Sequence, residues 1–264
     1  MAGDSIRARR YRVLVGRVVV AVGTIAAWEW LSRKGILDPF FFSQPSEIAL
    51  RLTDWFGSGT VWTHLSATLT ETLLALSIGG ALGLLAGLAL SRMPFAAAVV
   101  DPYVKVFNAL PRVVLAPVFL LWFGLGIWSK VALGVTLVAV IVFYNTVHGI
   151  RDVDPDLVDN LRLLGAGEVQ VMRLALLPSA LTWIFAGLHV SVGFAVAGAV
   201  IGEYLGAARG VGYLIAQSEG TLDATGVFAG ITVLGAAAVA IDFGVQRSER
   251  RLLRWKPAAT TRER

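Results

Sequence analysis

Hydrophobic positions in this chain come in long, nearly unbroken runs, with polar residues gathered between them, which is the pattern of helices surrounded by lipid or by one another. Thr72 to Leu90 carries no charge and is long enough to cross a hydrocarbon core of roughly 30 Å, so it predicts a membrane span. Val131–Ile150, Leu181–Gly202 and Ala224–Ile241 predict three more. An apolar run ending near Leu31 follows Arg7, Arg9, Arg10, Arg12 and Arg17 and reads either as a signal peptide or as a retained first span. Its length, its Trp28-Glu29-Trp30 end and the lack of a small-residue cleavage pattern favour the retained span. The segment from Arg92 to Lys130 is also apolar. Pro102, Pro111 and Pro117 each remove a helical donor there, so a kinked or broken span is expected, of the kind that faces protein or a watery cavity. The pattern predicts an all-α polytopic membrane protein with six transmembrane helices.

Composition agrees: of 264 residues, 56% are hydrophobic and only 16% charged. There is no cysteine, so disulfides, thiolate nucleophiles and cysteine metal sites are excluded. The net charge of +5 comes from basic residues concentrated at the two ends, with seven between Arg247 and Arg264. Two basic ends on one side require an even number of crossings, which six supplies. The expectation is a single membrane domain over 1–264, with its core at about 62–246. Both termini, a polar loop at 151–178 and a basic tail at 247–264 are placed on the cytosolic side, and an amphipathic piece from Glu47 to Phe56 at the outer surface.

Within the spans, Gly79, Gly83 and Gly87, and later Gly193, Ala197 and Gly198, predict close helix packing. Glu71 is read as a solvated carboxylate at a span edge, Glu203 as the outer end of the fifth span, and His189 as a hydrogen-bonded structural residue. Asn145 is expected to bond between helices. Lys105 and Arg112 flank the break at Pro111 and are candidates for lining an anion path, against the alternative that they snorkel or pair with backbone carbonyls. No Gly-x-x-x-x-Gly-Lys-Ser/Thr string occurs, and His64, His148 and His189 form no evident nucleophile and base set, so an enzyme is not expected.

The patterned exception is Asp154 to Pro178. Asp154 and Pro155 look like an N-cap and first helical residue; Leu157, Val158, Leu161 and Leu164 share one face opposite Asp156, Asp159, Asn160 and Arg162. Gly165 supplies the positive φ that ends such a helix, and a second short helix is expected before Pro178.

The order of Asp159, Leu164-Gly165-Ala166 and Leu177-Pro178 resembles the EAA loop of ABC-importer permeases, with Asp for the usual Glu and with Asn160 and Leu161 in place of alanines. The run ALPRVVLAPVFLLWFGLGIWSK, 109–130, resembles the third-span signature of the nitrate, sulfonate and taurine importer permeases. Asn145-Thr146, Ser43–Glu47 and Ala208–Leu214 resemble further segments of that family.

The resemblance implies the transmembrane subunit of an ATP-driven importer for a small polar solute, such as a sulfonate, nitrate, taurine or a vitamin precursor, in a bacterial-type inner membrane. It implies a homodimer with a path between the copies, an external binding protein, and two cytosolic ATPase subunits that hold ATP and Mg, none being bound by this chain. Leu157, Asp159, Leu161, Leu164, Gly165, Ala166 and Pro178 would couple to the ATPase; Lys105, Pro111, Arg112 and Asn145 would lie on the path. The alternative is an ion-coupled secondary carrier or channel, with Glu71, His189 or Glu203 as its coupling site.

Overall fold

The structure, a computed structural model, describes residues 2–254; the end of the predicted basic tail, 255–264, lies outside the described residues. Every regular element among the described residues is helical. Five helices are long and apolar enough to cross a membrane: α1 (Ala2–Arg33, through its stretch Tyr11–Arg33), α4 (Thr60–Ser91), α7 (Ile127–Arg151), α10 (Leu177–Gly206, entered through Glu168) and α12 (Ala224–Leu252). The short helices are α2 (Pro39–Phe42), α3 (Pro45–Gly57), α8 (Pro155–Leu163), α9 (Glu168–Val171) and α11 (Val211–Gly220). Between α4 and α7, α5 (Pro94–Ala109) and α6 (Ala116–Phe123) are joined by the 3-10 turn Arg112–Leu115 and bend by 86°.

Of the three prolines, only Pro111 marks the break. Pro102 lies inside α5, and Pro117 sits in the first turn of α6, where its missing N–H is not needed. Pro111 forces the preceding Leu110 into the extended region (ψ 133°), which ends α5.

Contacts divide the chain into two compact units, one taking in the chain to Trp62 together with Leu214–Thr232, the other Thr63–Tyr213 with the chain from Val233. In the first, the Glu29 carboxylate of α1 accepts from the Ser46 N–H (3.0 Å) and hydroxyl (2.8 Å) at the start of α3. Arg51 of α3 pairs with Asp223 at 2.5 Å, and Trp28 meets Phe228 edge-on at 5.4 Å.

The second unit is built on glycine. A Cβ on Gly79 would stand 2.8 Å from Val138, one on Gly83 only 2.3 Å from the Ala139 carbonyl oxygen, and one on Gly87 2.7 Å from Thr146. The partner positions advance in step, so α4 and α7 run parallel at backbone contact. Parallel neighbours require the chain between them to return across the membrane, so the bent α5–α6 pair makes the sixth crossing.

Helix α10 packs antiparallel on α7, with Gly187 against Asn145, Gly198 against Gly134 and Gly202 against Lys130. Gly193, expected at such a contact, meets nothing within 4 Å, because it lies off the face that Gly198 and Gly202 define. The expected second short helix before Pro178 is also corrected. Helix α9 continues through a π-helical turn, Met172–Leu176, into α10, and Pro178 lies in that helix's first turn rather than ending a separate one.

Candidate functional site

The polar loop between α7 and α10 is shaped by local chemistry. Asp154 caps α8, its Oδ1 accepting from the Asp156 N–H at 3.0 Å, with Pro155 as first residue. Gly165, at φ +86°, ends it, and Ala166 donates back to the Leu161 carbonyl. Across this turn the Arg162 guanidinium reaches Glu168 Oε1 (3.0 Å) and lies 3.8 Å from Asp159, so α9 is tied to α8 through one side chain.

Leu157 is 45% exposed and Leu164 84%, while Leu161 and Ala166 are half-buried. Leu163, absent from the expected face, is also 84% exposed. Adjacent bulky leucines at the end of a helix were the signal for it.

Each of the four residues expected on the path has its own local role in the structure. Pro111 makes the bend. Arg112 beside it donates to the Thr136 carbonyl (3.1 Å) and to Asn108, and lies over the Phe107 ring, so it fastens the bend to α7. Asn145 donates to Ile141 O of its own helix (2.9 Å) rather than across to another. Lys105 pairs with Asp101 at 2.5 Å and is exposed.

A buried charge cluster was missed. Glu71, expected at a solvated edge, is 5% exposed and lies against Glu203 and Lys130. It belongs to the stripe Glu71, Ala75, Gly79, Gly83, whose spacing of four turns it toward α7 with the glycines. Lys130 donates to the Leu125, Gly126 and Gly206 carbonyls. Glu203 accepts from Thr68 Oγ1 (2.6 Å) and the Gly212 N–H (2.7 Å), while the Val211 N–H donates to Thr68 Oγ1 (2.9 Å). Gly210, at φ +120°, lets the turn close over this carboxylate, where a Cβ would stand 2.1 Å from Glu203 Cδ. Glu71 Oε2 and the Thr72 hydroxyl have no partner among the described residues.

His189 is hydrogen-bonded as expected, each ring nitrogen facing a carboxylate of α12, Asp242 at 2.6 Å and Glu249 at 3.1 Å. No group of three or more His, Cys, Asp or Glu able to hold a metal occurs among the described residues.

Comparison with known proteins agrees with this architecture. The chain is 28% identical to the taurine transport system permease protein TauC of Escherichia coli (strain K12), over 97% of each chain. It is 31% identical to the putative aliphatic sulfonates transport permease protein SsuC of Bacillus subtilis (strain 168), covering 94% of this chain and 90% of that one. It is 34% identical to the formylaminopyrimidine transport permease protein ThiX of Halalkalibacterium halodurans, covering 87% and 91%. Among solved structures, an inward-facing MetNI methionine ABC transporter aligns with TM-score 0.65 at 20% identity, covering 74% of this chain and 98% of that one, which supports the fold. The family model described as "binding-protein-dependent transport system inner membrane component" matches residues 79–254, from the glycine stripe of α4 through the α8 loop to the end of α12, and the chain belongs to that family of ABC-importer permeases.

Proposed function

We infer that two copies of this chain form the path of an importer in the inner membrane, fed by an external binding protein and driven by cytosolic ATPase subunits that hold ATP and Mg. The α8 loop and both termini then face the cytosol. The substrate class is a small polar solute of the sulfonate or pyrimidine-precursor kind, as the names of the relatives suggest. The carrier alternative is set aside because the family is one of binding-protein-dependent permeases.

The observation that supports ATPase docking at α8 is the exposure of three bulky leucines, Leu157, Leu163 and the C-capping Leu164, on or at the end of a short helix that also carries Asp156, Asp159 and Arg162. Burying one such leucine stabilises an interface by roughly 1.5–3 kcal/mol, and an arginine there leaves a charge unpaired in it. Gly165 fixes the angle at which these leucines are presented, and Asp159, beside Arg162, is offered to a polar group of the partner.

The test is Leu164→Arg, which disturbs little within this chain because Leu164 is 84% exposed. The variant should reach the membrane at normal level but fail to co-purify with its ATPase and lose uptake in reconstituted vesicles. Full co-purification with full uptake would show that α8 is not the docking element.

A further inference from the structure

Where α4 ends, α5 begins and α7 ends, the second unit holds an open cavity of about 760 Å³. It lies at the end of the bundle that carries α8, with Arg151, the last residue of α7, in its lining. Its walls are largely apolar, with Leu90, Val104, Phe143 and Val147 among them. Its polar lining is uneven. Lys105 and Asp101, 2.5 Å apart, answer each other's charge. Arg151 also lines the cavity and enters no ion pair among the described residues; the Tyr144 and His148 side chains stand in the same wall. The charged lining therefore sums to one uncompensated guanidinium facing an apolar chamber at the level where membrane helices end.

A planar guanidinium binds tetrahedral oxyanions through paired N–H donors, and the apolar wall suits a hydrocarbon body attached to such a head. Basic pockets between membrane helices near their ends are fitted to anionic lipid. We propose that this cavity binds an amphiphilic oxyanion, its phosphate or sulfonate group on Arg151 and its apolar part along Phe143 and Val147, with an anionic phospholipid as the occupant. An organic sulfonate in solution offers the same chemistry, and only position and hydrocarbon length distinguish the two sources. The site does not depend on substrate identity or on where the ATPase docks.

The test uses the full chain purified with its partner subunits. Retention of short-chain phosphatidylglycerol is read by native mass spectrometry and by thermal shift, against phosphatidylcholine of equal chain length and against ethanesulfonate and inorganic phosphate. Phosphatidylglycerol should bind preferentially, and Arg151→Gln should weaken it about tenfold, as expected for loss of one charge-assisted paired contact. Arg250→Gln, an exposed arginine on α12 away from the cavity, should leave it unchanged. Ala97→Phe keeps every charge but fills the chamber and should also displace the lipid, which guards against a misfolded Arg151 variant. Ethanesulfonate binding with the same Arg151 dependence and no preference for phosphatidylglycerol over phosphatidylcholine would assign the site to a dissolved anion and overturn the lipid. No anion bound, or binding indifferent to both Arg151→Gln and Ala97→Phe, would overturn the site.

Discussion

Replacing Gly83 by alanine tests the seam on which the second unit is built. The added Cβ would meet the Ala139 carbonyl oxygen at 2.3 Å and the Phe143 nitrogen at 2.9 Å, both backbone atoms that no rotamer change can move. Relief requires α4 and α7 to part by about 1 Å, the distance from 2.3 Å to ordinary contact at 3.4 Å. A gap of that size forfeits roughly a quarter to a half of each neighbouring dispersion contact. It would be felt along the whole seam, from Ala75 on Gly134 to Gly87 on Thr146. Overpacking of this kind costs about 1–3 kcal/mol, against a helix-propensity gain for Gly→Ala of up to about 1 kcal/mol. Because both obstructing atoms are backbone, the upper part of that range, about 2–3 kcal/mol, applies, and the net loss of about 1–2 kcal/mol lowers the ratio of folded to unfolded protein roughly 5- to 30-fold. The assay is reversible denaturant unfolding in mixed micelles, with Gly193→Ala as control, since nothing lies within 4 Å of that position. Gly83→Ala as stable as the parent, or Gly193→Ala equally destabilised, would refute the reasoning.

Removing the ammonium with Lys130→Met should destabilise the unit by about 3–5 kcal/mol, because two buried carboxyls lose their cation; Lys130→Met with Glu71→Gln should recover part of that loss, measured in the same unfolding assay. Asp223 is partly buried, which opposes its charge, yet the Gly226 N–H and Arg51 outweigh this and hold its pKa below the ordinary value of 3.8. Its contribution is therefore complete above about pH 4 and is lost as pH falls through the lower folded value. Thermal unfolding followed from pH 6 downward should show this fall, and Asp223→Asn should reduce it. With no native cysteine, single cysteines at Ser58 and Thr221 should react with a membrane-impermeant maleimide from outside intact cells, and one at Asp156 only after permeabilisation. Reaction at Asp156 from outside would invert the orientation.

The spans were legible because a run such as Thr72–Leu90 has only one stable way to lie. Their ends were not: α4 begins at Thr60, since Thr68, Glu71 and Thr72 are covered by neighbours rather than by water, and hydropathy reads buried polar residues as an edge. Glu71 could have been found, because it continues the four-residue spacing of Gly79, Gly83 and Gly87. Lys130 and Glu203 could not, since what makes them a cluster is the antiparallel register of α7 and α10. Carbonyl pairing was one reading of Arg112, but that the carbonyls are those of Thr136 and Leu137 on α7 depends on the same register. The loop was the reverse case. Asp154, Pro155 and Gly165 act within a few residues of themselves, so its geometry was written locally, whereas the Arg162 bridge to Glu168 required the turn to be built first.

Glu71, Lys130 and Glu203 also impose an order on how the chain comes into being. Synthesis delivers Thr68, Glu71 and Thr72 in α4 long before Lys130 exists, and a buried polar group left without a partner costs on the order of a few kcal/mol. The ammonium arrives with α7, but the N–H donors of Val211 and Gly212 follow only after α10 is complete. Until then, Thr68 and Glu71 of α4 lack the partners that Glu203 and the Val211 N–H provide in the finished protein. The cover over these buried groups is thus completed only by α10 and the turn that follows it, although they lie on α4 and α7.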